Sequence, residues 1–202
     1  SGFNKSFFGG QIKVGVTGKY IERVEYSGTV DPAVDSLDIK RLGTNGAGVG
    51  VDLGLSLSAP TAWLPTLSVL IKDVGDTSFT LGSGLRDGYT GGVVPRSIAS
   101  EVDVAIAVFP IWSNSKRGTF TVEYDDVLNE GKSEKKIHAG VEINLADQLF
   151  LRGGWNKGYF TGGLEYATPH MQLQLAYYGE EIGTDENPIQ DNRLAIKTVF
   201  RF

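Results

Sequence analysis

Apolar residues recur at every second position in segment after segment of this chain, and that regularity excludes most folds. From Val49 to Ala59 the odd positions are Val49, Val51, Leu53, Leu55, Leu57 and Ala59, and the even positions between them are Gly50, Asp52, Gly54, Ser56 and Ser58. Side chains of a strand alternate between faces, so this segment is a strand with one aliphatic and one small or polar face; a helical period would mix the two sets. The same alternation runs through Ile12 to Tyr26, Val102 to Val108, Phe120 to Tyr124, Ile137 to Leu145, Leu149 to Trp155, Met171 to Tyr177 and Leu194 to Phe202. Leu67 to Lys72 and Phe160 to Tyr166 bring the expected number to about ten strands. No amphipathic helix fills the gaps, and residues 1–202 read as a single all-β domain.

Alternation fits either a soluble sandwich with an apolar inside or a membrane barrel with an apolar outside. The longest apolar run, Val104 to Trp112, includes Pro110 and is far short of the roughly 20 residues of a membrane helix, so a helical span is excluded and a barrel is not. Several strands approach the roughly 9–11 residues a tilted strand needs to cross a bilayer. Connections alternate between long, polar stretches (Ser27 to Gly46, Asp73 to Arg96, Gly179 to Asn192) and tight ones such as Ala146-Asp147-Gln148 and Thr168-Pro169-His170. The expectation is an antiparallel up-and-down transmembrane β-barrel of about ten strands, with short periplasmic turns and longer extracellular loops. Asn156-Lys157-Gly158, tight on the long-loop side, and the medium-length Pro110 to Arg117 on the other are exceptions to the pattern.

In such a barrel the polar faces line the lumen. The charged lining is expected to comprise Lys13, Lys19, Arg23, Arg152, Arg193, Lys197 and Arg201 with Asp52, Glu101, Asp103, Glu123, Asp125, Glu142 and Glu165, together with His138. Both signs are present, so these groups can pair across a narrow interior and offset one another's desolvation. Aromatics near strand ends, among them Tyr20, Trp63, Trp112, Trp155 and Tyr177, suit interfacial girdles.

The carboxyl terminus resembles the terminal-aromatic signal by which bacterial outer-membrane barrels are recognised for assembly: Leu194, Ile196, Thr198, Phe200 and the final Phe202 share one face. That resemblance implies a Gram-negative outer-membrane location, with the barrel-assembly machinery and outer-membrane lipid as partners. Gly15 to Arg23 (GVTGKYIER), Gly46 to Leu55 (GAGVGVDLGL), Leu67 to Phe79 (LSVLIKDVGDTSF) and Ile137 to Tyr166 also resemble the superfamily of long-chain fatty-acid transporters and PorV-like proteins. Those proteins usually have about fourteen strands and an amino-terminal hatch, neither visible here. The resemblance therefore implies a smaller relative or its carboxyl-terminal portion, and it transfers no ligand-binding residues.

Chemistry beyond transport finds little support. The balance of 19 basic and 24 acidic residues, with no strongly basic window, argues against nucleic acid. The absence of cysteine excludes disulfides, thiolate nucleophiles and cysteine-ligated zinc. His138 shares a face with Glu142, which reads as a simple contact without a nucleophile beside it, and His170 falls in a turn. Asp125-Asp126 and Glu180-Glu181 are adjacent strand or loop residues whose side chains diverge, so neither pair is a ready clamp. Gly46, Gly48 and Gly50 lack the lysine and helix of a phosphate loop and suggest a tightly curved strand; 27 glycines in 202 residues is nearly twice the usual share of roughly 7%. No cofactor, metal or enzymatic activity is expected. The expected function is a channel or transporter for small or hydrophobic solutes; the alternative is a side-chain-plugged structural barrel whose loops dock a solute or protein partner.

Overall fold

The structure, a computed structural model, describes residues 1–26, 39–83, 85, 88–89, 91–184 and 187–201. Thirteen strands form one sheet: β1 (Gly2–Phe7), β2 (Ile12–Tyr26), β3 (Gly43–Ser58), β4 (Thr66–Lys72), β5 (Thr80–Leu81), β6 (Glu101–Val108), β7 (Ile111–Ser113), β8 (Lys116–Tyr124), β9 (Ile137–Leu145), β10 (Leu149–Asn156), β11 (Tyr159–Ala167), β12 (Met171–Glu181) and β13 (Gln190–Phe200). Helical segments among the described residues are four residues long or shorter. Eleven strands lie in chain order, with β5 set against β3 and β7 against β8, so the fold is an up-and-down antiparallel sheet.

The ten expected strands are all present, but the count of ten is too low. The three additions carry little periodic signal: β1 reads Gly-Phe-Asn-Lys-Ser-Phe, and β5 and β7 have only two and three residues. β7 arises where a medium-length connection was expected, because the chain after the fully buried Pro110 folds back so that Ile111 pairs with Arg117. Among the described residues β1 pairs only with β2 and β13 only with β12, so the sheet is not closed on itself.

The chain divides into two compact units. The first comprises Ser1–Lys5, Val14–Gly54 and Leu70–Glu101. Here β3 is buried at every position from Gly43 to Ala47. What buries it is the chain that follows β4. Val74 donates to the carbonyl of Val51, β5 bonds to Gly46 and Ala47, Gly82 donates to Asn45, and Gly91 donates to Gly43. Prolines aside, Ala47 and Phe79, both in this unit, are the buried hydrophobic side chains among the described residues.

The second unit comprises Ser6–Lys13, Leu55–Val69 and Val102–Phe202. It is a run of hairpins in regular register, for example Val122 opposite Ala139, Ala139 opposite Trp155, and Trp155 opposite Phe160. Directly opposed residues project to the same side, so Ile106, Val122, Ala139, Trp155 and Phe160 form one continuous apolar row. This row is uncovered. Ile106 is 56% exposed, Phe160 73%, and Ile196 on β13 65%. These side chains are exposed on the face of the sheet opposite the polar one.

Candidate functional site

The polar face carries charged groups organised by strand register into separate networks. In the first unit, β2 brings Lys19 beside β3, and its ammonium bridges two carboxylates, 2.8 Å from Asp52 Oδ1 and 2.9 Å from Asp73 Oδ2. The Asp73 amide donates to Asp52 Oδ1 at 2.9 Å, and the Thr77 hydroxyl donates to Asp73 Oδ1 at 2.6 Å. Asp73 and Thr77 are both buried. Asp52 Oδ1 and both carboxylate oxygens of Asp73 thus each face a donor, as burial of charge demands.

Asp73 was not among the expected lining residues, nor were Thr77 and Phe79. They enter because the chain leaves the sheet after β4 and lies on the polar face of β3 as a strap from Asp73 to Thr80. The turn off the sheet is made by Asp73, Gly75 and Asp76, all with positive φ. Glycines supply the clearance beneath it. A Cβ at Gly50 would stand 2.6 Å from Thr77 Oγ1 and 2.8 Å from Asp73 Oδ1, while one at Gly48 would meet the carbonyl oxygen of Ser78. The Gly46–Gly50 pattern therefore reflects close approach of a second chain segment, where sequence reasoning read curvature.

Further along the same face, Arg23 pairs with Glu25 at 2.7 Å, donates to the carbonyl of Arg96 at 3.0 Å, and sits over the Phe79 ring at 5.9 Å. Lys72 reaches Glu101 at 3.5 Å.

In the second unit the face has two charged levels. One is a belt on β9 to β12. Arg152 Nε lies 2.6 Å from Glu142 Oε2, and its Nη1 lies 2.7 Å from Glu165 Oε2. Glu165 is buried and also accepts from the Gln172 amide, whose oxygen accepts from Arg201 Nη2 at 3.1 Å. The other level joins β6, β8 and β9. Oxygens of Asp103, Glu123 and Asp125 lie within 4.8 Å of one another, a hard-donor set of the kind calcium or magnesium takes. Protein groups meet part of that charge: Asp103 accepts from the Asp126 amide at 3.0 Å, and His138 Nε2 lies 2.8 Å from Asp125 Oδ2. The latter is a close contact without the alignment of a hydrogen bond. The expected contact of His138 with Glu142 does not form, because four residues along a strand span about 13 Å; Glu142 binds Arg152 instead.

Between these levels the polar face is shallow. Ala107, Thr121, Gly140, Gly154 and Thr161 stand directly opposite one another across five strands. Next to the acidic level lies a polar cavity of about 510 Å³ lined by His138, Asn156, Tyr159, Tyr178 and Glu181, among others, and there the Tyr159 hydroxyl donates to Glu181 at 2.6 Å. Arg193 on β13 pairs with Asp191 at 2.7 Å and with Glu180. Lys13, Lys197 and Arg201 are exposed. On the other face of β13, Leu194, Ile196, Thr198 and Phe200 stand opposite Tyr177, Leu175, Leu173 and Met171, while Phe202 lies outside the described residues.

Asp126, in the connection after β8, shows how the loops are tied. It takes up a positive φ and accepts from Asn129, and Lys136 bonds to its carbonyl at 2.7 Å and lies 3.4 Å from its carboxylate. Burial pushes this carboxyl up, but the Asn129 amides and the Lys136 ammonium outweigh it and hold the group below the usual carboxylate range.

Compared with models of known protein families and with curated protein sequences, the chain matches none.

Proposed function

We propose that this chain is an integral β-barrel of a Gram-negative outer membrane that passes small or hydrophobic solutes along a polar interior. The observation that carries this reading is the inversion of the two faces. Val51, Leu53, Ile106 and Ile196 are each more than a third exposed, whereas Asp73, Asp103 and Glu165 are buried. Fully burying an aliphatic side chain is worth about 1.5–3 kcal/mol, so a water-soluble chain with this many uncovered ones forgoes its main stabilisation. A continuous apolar surface of this kind marks contact with another apolar phase. Exposed aromatics including Tyr20, Trp63, Trp112 and Tyr177 support interfacial girdles, and the alternating face of β13 supports delivery by the barrel-assembly machinery. Closure into a barrel belongs to this proposal, since unpaired strand edges are not tolerated in lipid.

The test is detergent-dependent solubility with heat-modifiable gel migration, followed by single-channel recording in a planar bilayer. Solubility without detergent sinks the membrane reading. A second reading, a plugged barrel that docks a partner through its loops, is favoured by the pairing of Arg152 with Glu142 and Glu165, which spends the interior charges on one another. Absence of conductance and of solute flux selects it.

A further inference from the structure

We infer that the strap from Asp73 to Thr80 is a releasable latch, held on the polar face of β3 by Lys19 and able to swing away as a unit. As a gate, the latch rests on the proposed barrel; as a conformational device it does not. Three observations carry it.

The strap crosses β3 bonded to that strand's backbone near its two ends, where Val74 donates to the Val51 carbonyl and Thr80 pairs with Ala47. Gly48 and Gly50 form a floor without side chains, and Thr77 and Asp73 occupy the space a Cβ would take at Gly50. What holds it there is polar. Lys19 ties Asp73 of the strap to Asp52 of the floor, Thr77 and Ile98 exchange two backbone hydrogen bonds of 2.9 Å, and the Ser100 amide donates to Asp76 at 2.7 Å. Phe79 is the strap's only buried apolar side chain, so little hydrophobic adhesion opposes release. Finally, Asp73, Gly75 and Asp76 concentrate the positive-φ residues at one end, where a change of a few dihedrals redirects the whole segment. The lever is Lys19: its ammonium contacts the carboxylates of both floor and strap, and losing it leaves those two carboxylates facing each other across the contact.

The experiment uses the full chain in lipid, with hydrogen exchange and bilayer conductance read on the same proteins. Lys19→Met removes the tie, Lys19→Arg keeps it, and Gly50→Val retains the Lys19 charge but wedges the floor, its Cβ pressing on Thr77, Asp73 and the Lys19 stem. Lys19→Met and Gly50→Val are expected to speed exchange at Thr77 and Ile98 together by about tenfold or more. Exchange in β9 to β13 should stay at the parent level, as should Lys19→Arg throughout. Conductance should rise with the exchange, and a disulfide between Ala47→Cys and Thr80→Cys, opposed in register, should suppress both. Unchanged exchange at Thr77 and Ile98 in both variants overturns the inference whatever the conductance. Accelerated exchange with every protein electrically silent upholds the latch and sinks the pore reading instead.

Discussion

Arg152 holds Glu165 at 2.7 Å, and the carboxylate end of that pair is 8% exposed while the guanidinium end is 40% exposed. The arrangement is one-sided: the acid depends on the arginine far more than the reverse. Arg152→Met should therefore destabilise the fold by about 1–3 kcal/mol, the cost of leaving a buried carboxylate without its cation and with only amide donors such as Gln172. Urea unfolding in detergent measures it. Adding Glu165→Gln to the same protein should recover part of the loss, because the remaining amide carries no charge; a double variant no better than the single one refutes the assignment.

Ile106 and Ile196 test the direction of the apolar face. If each meets lipid, Ile106→Lys or Ile196→Lys should cost about 2–4 kcal/mol near the bilayer midplane. If each meets water, the same change should be nearly neutral. Folding yield into vesicles, compared with that of Lys197→Ile on the opposite face, separates the two outcomes.

The hairpin between β10 and β11 turns through Lys157 and Gly158, with φ of 51° and 96°. Both central residues are left-handed, as in the type I′ turn that matches strand twist. A Cβ at Gly158 meets no atom within 4 Å, so Gly158→Ala should cost only the backbone penalty of about 1–2 kcal/mol. Lys157→Asn should instead stabilise the hairpin by a fraction of that. Thermal unfolding of the pair gives opposite signs if the turn is as described.

Asp126 confers acid sensitivity on its loop. Its carboxyl is held below the unfolded value of about 3.9. The stabilisation is therefore complete above that value and is lost as pH falls through the lower, folded-state one. The Asn129 and Lys136 resonances should shift together in that acid range, and Asp126→Asn should abolish the titration. An unchanged titration in Asp126→Asn assigns it to another acid.

The local period of two settles which residues are strands and which side each faces, because side-chain direction in a strand depends only on neighbouring backbone geometry. Ten strands, the shared face of Val51 and Leu53, and the grouping of charges opposite them were all legible on that basis. The turns at Lys157-Gly158 and Ala146-Asp147 were legible too, since turn chemistry is equally local.

Partnership was not legible. Whether His138 meets Glu142 or Asp125, and whether Arg152 binds one acid or two, depends on the registers of neighbouring strands, which no single segment encodes. The strap is the clearest case. Asp73, Thr77 and Phe79 carry no periodic signal, and Gly46, Gly48 and Gly50 look like strand curvature until the segment lying over them is seen. Close approach of two stretches some 25 residues apart along the chain (Gly50 to Thr77, say) is a tertiary event. The amino-acid sequence by itself determined strands and their faces; the tertiary structure alone decided which charges neutralise each other and where backbone lies on backbone.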